Sequence, residues 1–310
     1  MTEPTDLFDP AQKFPNPSAG DRYDRLVGLD DVKERLLKEA RLLLDPQLLS
    51  DWSRKHHGGA VLPAVEAFGE RIPLFVFAGD VGTGKTALAE TFGNELARVC
   101  RVSVTLMPLS LNARGSGRVG EMTSLIASAF RAVEERVSGQ RGAARSTSAV
   151  ILLIDEADAL AQSREASQMH HEDRAGVNAL IRGIGHVSAE GMPVITVMCT
   201  NRSSAIDPAI KRRAAQIFQF ERPNDAQRAD VLKRAFEGAG LSEADLADLV
   251  RRTGPTKGRP YGYTYSDLTT RLIPGVLIDA FPDRALDYAR IVEIVEAHPP
   301  TAPFSERRND

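Results

Sequence analysis

The chain has 310 residues, room for one large domain and a smaller one. It is 42% hydrophobic and 26% charged, and 39 basic against 42 acidic residues give a formal net charge of −3; that balance argues against a general DNA- or membrane-binding surface. No apolar run approaches the ~18 residues of a membrane span, the N-terminus is polar, and Cys100 and Cys199 lie outside any C-x-x-C pair. A reducing, cytoplasmic setting is therefore expected, without a disulfide framework.

Residues 1–20 are proline-rich and poor in apolar side chains, and are expected to form a flexible arm. Asp30 opens a helix reaching Leu44, with Val32, Leu36, Leu37, Ala40 and Leu43 at helical spacing. Residues 50–70, which contain His56-His57-Gly58-Gly59, are expected to be a variable connection. Five β-type runs follow: Leu74–Ala78, Val102–Met107, Val150–Ile154, Val194–Thr200 and Ile217–Phe220. Most are continuously apolar, which suits parallel strands buried on both faces. Amphipathic stretches separate them, the clearest carrying Met122, Ile126, Phe130, Val133 and Val137. The alternation predicts an α/β fold with a five-stranded parallel sheet between helices. Beyond Pro223 helices are predicted at Asp225–Gly238, Ser242–Thr253, Ser266–Phe281 and Arg284–Ala297, with Pro274 interrupting the third. The expected division is an arm over 1–20, a large α/β domain over 21–223, a small helical lid over 224–298 and a frayed tail over 299–310.

Directly after the first long strand comes Gly79-Asp80-Val81-Gly82-Thr83-Gly84-Lys85-Thr86, which fits G-x-x-x-x-G-K-[ST]. Glycines let the backbone curl so that several N–H groups face one phosphate chain, and the helix that follows adds its positive end. Gly79, Val81, Gly82, Thr83, Gly84, Lys85, Thr86 and Ala87 form the expected cofactor-binding set, with Lys85 reaching the β- and γ-phosphates and the Thr86 hydroxyl on Mg²⁺. The third parallel strand runs into Asp155-Glu156. A carboxylate at the carboxyl end of such a strand lies where open α/β sheets bind ligand. Asp155 is expected to hold Mg²⁺ through water, and Glu156 to polarise the attacking water. The fourth strand ends Cys199-Thr200-Asn201-Arg202, which makes Asn201 the candidate sensor of the γ-phosphate. An N-K-x-D guanine-reading motif is absent, which favours ATP over GTP.

Ile206-Asp207-Pro208-Ala209-Ile210-Lys211-Arg212-Arg213 comes next. A phosphate loop, an Asp-Glu pair, a sensor Asn and D-P-A-x-x-x-R ahead of a helical lid resemble, in that order, the signature of AAA+ ATPases over about residues 25–285. Val27-Gly28 resembles the entry segment whose backbone packs on adenine. The resemblance implies ATP hydrolysis in a hexamer, with Arg213 and then Arg212 as candidates for the arginine that completes a neighbour's site. Within AAA+, Arg174-Ala175-Gly176-Val177-Asn178-Ala179-Leu180 and the Ala209–Ala214 stretch look similar to the pachytene-checkpoint remodellers of HORMA-domain proteins. That similarity implies a HORMA-domain partner and regulation of a cGAS-like nucleotidyltransferase in anti-phage defence (CBASS), with no membrane or direct nucleic-acid partner.

Two segments depart from the pattern. The expected pore loop, Gly115–Glu121, carries Arg118 and Val119 where substrate-threading relatives usually have an aromatic. In the lid, Ser266 or Asp267 stands where such remodellers place an arginine, and Arg271, one turn later, is the candidate second sensor. Other readings are a DNA-directed AAA+ ATPase of clamp-loader or transposition type, a generic unfoldase, and a nucleotide-gated scaffold. The near-neutral charge weighs against the first, and the intact Asp155-Glu156 pair against the last.

Overall fold

The computed structural model describes residues 7–110, 121–140, 146–157, 170–202 and 206–303. The chain forms two compact units, one of Met1–Arg25, Asp30–Ala78 and Thr86–Gln219, the other of Leu26–Leu29, Gly79–Lys85 and Phe220–Asp310.

The first unit is built on a six-stranded sheet of β1 (Gln12–Phe14), β2 (Leu74–Gly79), β3 (Ser103–Pro108), β4 (Ser148–Ile154), β5 (Val194–Thr200) and β6 (Gln216–Phe220), in the spatial order β1-β3-β4-β5-β2-β6. Strands β3, β4, β5 and β2 pair in parallel. The predicted apolar runs are the interior strands, and Leu74 to Ala78 are all buried. Helices α1 (Pro17–Asp24), α2 (Asp30–Leu44), α3 (Gln47–His56), α4 (Pro63–Gly69), α5 (Lys85–Cys100), α6 (Glu121–Val137), α7 (His170–Ala189) and α8 (Pro208–Arg213) complete the described part. Ile126, Phe130 and Val133 of α6 share one core with Leu180, Ile184 and Val187 of α7 and with Val76, Leu152 and Val194 of the sheet. A Cβ added to Gly183 would stand 2.2 Å from the Phe130 ring, so the two helices close on a residue with no side chain. Elsewhere in the unit, Phe75 and Phe77 meet Phe218 edge-on at centroid distances of 5.9 and 5.7 Å.

The sheet has one strand more than expected, because part of the supposed arm is β1. Phe14 pairs with Val104 and Gln12 with Leu106 in antiparallel register. The Phe14 ring is buried over Gly93 of α5, where a Cβ would be 2.7 Å from it. Asn16 donates its N–H to Asn94 Oδ1 at 2.7 Å, and its own side chain caps α1 through Ser18 N–H at 3.0 Å. A buried phenylalanine and a cap, together with backbone bonds from Asp9 to Pro108 and from Ser110 to Leu7, anchor a segment too short to show periodicity. Residues 50–70, expected as a connection, contain the end of α3 and all of α4. They are tied together by Ser53, whose hydroxyl donates to Ala60 O at 3.0 Å and accepts from Leu62 N–H at 2.9 Å.

The second unit is helical, with α9 (Asp225–Ala235), α10 (Glu243–Thr253), α11 (Ile273–Ala280) and α12 (Tyr288–Ala297). Asn224 with Gln227, and Ser242 with Asp245, form capping boxes that start α9 and α10. Leu232, Leu249, Tyr263, Leu268, Val276 and Ile291 lie in its core, and Val27 packs on it. The third predicted helix is not broken at Pro274: its backbone stays helical from Tyr265 to Ala280, and only its hydrogen bonding changes. Pro274 has no N–H, and the turn before it, Asp267–Leu272, widens so that Ile273 N–H reaches Leu268 O. The tail was expected to fray from 299, yet Thr301 is held to Asp267 by its N–H at 3.1 Å and its hydroxyl at 2.6 Å. Among the described residues no helix is long and apolar enough to cross a membrane.

Candidate nucleotide site

The phosphate loop belongs to the second unit. Gly79 leaves β2 in a conformation where a Cβ would stand 2.1 Å from Phe220 O. Gly82 has φ +74 and lies against Thr264, with a hypothetical Cβ 2.6 Å from its hydroxyl. Ser266 donates its N–H to Gly82 O at 3.1 Å. Lys85 is buried, and its ammonium donates to Gly79 O at 2.9 Å and Asp80 O at 2.7 Å. The Thr83 hydroxyl donates to the same Asp80 carbonyl at 2.7 Å. The loop is thus closed on itself, with a cation at its centre and Val81 exposed. A curled backbone around a buried ammonium has the chemistry of a polyphosphate cradle.

Gly28 is fastened into the same unit. Gln227 Nε2 donates to Gly28 O at 3.0 Å, and at φ +71 a Cβ there would stand 2.1 Å from the Tyr265 hydroxyl. Arg271 donates to Asp267 Oδ1 at 3.1 Å and Thr301 Oγ1 at 3.3 Å. The backbone of Ser266, where such relatives carry the arginine, touches the phosphate loop, whereas Arg271, the second-sensor candidate, is held by Asp267 and Thr301. Asp267 is buried and accepts from Thr264 N–H, Thr301 and Arg271. Burial alone would push its carboxyl up, but the bonds from Thr301 and Thr264 outweigh it and hold the group below the usual carboxylate range.

The acid pair belongs to the first unit. Asp155 follows β4 directly, and its Oδ1 accepts from Glu156 N–H at 2.8 Å. Glu156 adopts φ +49, uncommon for a residue with a side chain, so consecutive carboxylates are not presented as they would be along a strand. Ala157 N–H then bonds to Cys199 O at 2.9 Å, tying the turn to β5. Next to it, Thr200 Oγ1 accepts from Arg202 N–H at 3.0 Å, which shapes the turn carrying the half-buried Asn201. The register pairs Ala78 with Thr200 and Ile154 with Met198. The acid pair, the Asn201 turn and the point where the phosphate loop departs therefore lie at one carboxyl edge of the sheet. Thr86 and Ala87 open the part of α5 within this unit.

Helix α8 is capped by Asp207, which accepts from Ala209 N–H at 2.7 Å. It ends in Arg212 and Arg213, both exposed. Arg213 Nη1 donates to Ala209 O at 3.2 Å, and among the described residues neither arginine has a carboxylate partner. Arg118 and Val119 lie outside the described residues.

Sequence reasoning passed over Arg222. It donates to Asp80 Oδ2 through Nε at 2.8 Å and Nη2 at 2.5 Å, and to Gly262 O at 2.7 Å. Its guanidinium also lies over the Tyr261 ring at 5.1 Å. No motif marks it, since its partner is 142 residues away in sequence.

The profile of the ATPase family associated with various cellular activities (AAA) matches residues 75–222. CD-NTase-associated protein 6 of Escherichia coli strain MS 115-1 is 48% identical over 98% of this chain and 97% of its own length. A chain of the E. coli MS115-1 HORMA:CdnC:Trip13 complex superposes with TM-score 0.88 at 47% identity, covering 97% of this chain and 98% of that one. Rhizobiales Trip13 gives TM-score 0.75 at 42% identity, over 96% and 100% of the two chains. By this similarity over nearly its whole length, the chain belongs to the AAA ATPases, in the group of CD-NTase-associated protein 6 and the bacterial Trip13 proteins.

Proposed function

We propose that the chain is an ATP-driven remodeller that works as a hexameric ring in the cytoplasm and opens a HORMA-domain partner, thereby restraining a cGAS-like nucleotidyltransferase in anti-phage defence. One observation carries this reading: near full-length similarity, at 47% identity, to a chain of a complex that holds HORMA, CdnC and Trip13 components. In this reading Lys85 and the N–H groups from Gly79 to Ala87 bind the phosphates, and Val27 and Gly28 back the adenine. Glu156 takes up the proton of the attacking water, which Asn201 orients. Thr86 and Asp155 are the oxygen donors suited to Mg²⁺, whose role when bound is to neutralise charge on the phosphate oxygens. Arg212 and Arg213 are exposed at a helix end, as arginines serving an adjoining subunit must be. Arg271 serves as second sensor only if it leaves Asp267. Arg118 and Val119, outside the described residues, remain the pore-loop candidates, and without an aromatic they offer a threaded peptide less contact area.

The test is the ATPase rate of the purified chain with and without a HORMA-domain protein. The proposal expects HORMA protein to change the rate several-fold. A rate indifferent to HORMA protein but stimulated by DNA, with a steep salt dependence, would establish the DNA-directed alternative.

A further inference from the structure

Asp80 presents a difficulty at a phosphate site. Its carboxylate sits in the loop that has to receive a polyanion, and its side chain is only 18% exposed. Like charges at that depth repel strongly. The structure meets this with Arg222, itself 14% exposed, which forks two donors onto Asp80 Oδ2. Asp80 Oδ1 accepts from Val81 N–H at 2.8 Å, while the Asp80 carbonyl takes Lys85 and Thr83. Asp80 is thus the residue through which the loop's shape is fixed. The third Arg222 donor, to Gly262 O, anchors the pair to the segment that brings Thr264 and Ser266 against Gly82.

We propose that Arg222 is a positioning residue for the phosphate loop: it neutralises Asp80, turns its carboxylate away from the phosphates, and so sets nucleotide affinity. The proposal rests on the reading of Gly79–Thr86 as the nucleotide loop, and the experiment separates the two.

ADP binding to the full-length protein is measured by calorimetry for the wild type, Lys85→Ala, Arg222→Ala, Asp80→Asn and the Arg222→Ala/Asp80→Asn pair. A charge-assisted bond of this kind predicts that Arg222→Ala weakens ADP about tenfold. Removing the negative charge that Arg222 no longer neutralises, in the double variant, should recover binding to within about threefold of wild type. A merely structural role would not produce that recovery. Arg222→Ala binding ADP like the wild type, or a double variant no better than Arg222→Ala, would overturn the proposal. Should Arg222→Ala fail to fold, Arg222→Gln, which keeps a donor for Gly262 O but no charge, carries the same comparison. If Lys85→Ala leaves ADP binding intact, the loop reading itself fails, whatever Arg222 does.

Discussion

Glu156 shows what a single residue contributes here. A positive φ costs of order 1 kcal/mol for a residue with a Cβ, and it persists because Ala157 is bonded to β5 directly afterwards. The sequence makes the Asp155-Glu156 pair legible through its place after a buried strand, but a backbone angle has no signature in residue types. Asp267 is the opposite case, assigned to the second-sensor region by resemblance and found buried as a ligand for Thr264, Thr301 and Arg271. Its carboxyl is held below the unfolded value near 3.9. A depressed folded value means that its stabilisation is complete above the unfolded pKa and is lost as pH falls through the folded one. Acid unfolding followed by circular dichroism should therefore be shallower in Asp267→Asn than in the wild type as pH falls below about 4. The same substitution should lower stability at pH 7 by ~2 kcal/mol or more, since a buried set of donors loses a charged acceptor. An unchanged acid limb would remove Asp267 from the account.

At the scale of elements, continuous apolar runs and the 3.6-residue pattern made β2 to β6, α2 and α6 legible, to within a residue or two at most ends. What stayed hidden was short or long-range. Strand β1 has three residues, and its place depends on a hole above Gly93 that only the folded helix α5 creates. Phe14→Ala should cost ~3 kcal/mol in urea unfolding and expose the segment before α1 to protease. A loss below ~1 kcal/mol would mean the segment is not part of the core. The contact between Arg222 and Asp80 was invisible for the same reason, as neither residue belongs to a periodic face.

For the whole molecule, the motif order and the resemblance gave the family, which the comparisons then supported over nearly the whole chain. The proposed ring depends on Arg212 and Arg213, exposed residues at the end of α8. If Arg212 and Arg213 complete a neighbour's site, an Arg212→Ala/Arg213→Ala chain and a Lys85→Ala chain should each be inactive alone, with turnover returning when the two are mixed. No recovery on mixing would place the arginines elsewhere.

The central claim, that ATP turnover opens a HORMA partner, is tested most directly by following a preformed complex of HORMA protein and nucleotidyltransferase on a sizing column. With this chain and ATP the complex should dissociate, and with Glu156→Gln and ATP it should remain intact with the ATPase bound. Dissociation by Glu156→Gln as fast as by the wild type, or no dissociation by either, would contradict the account.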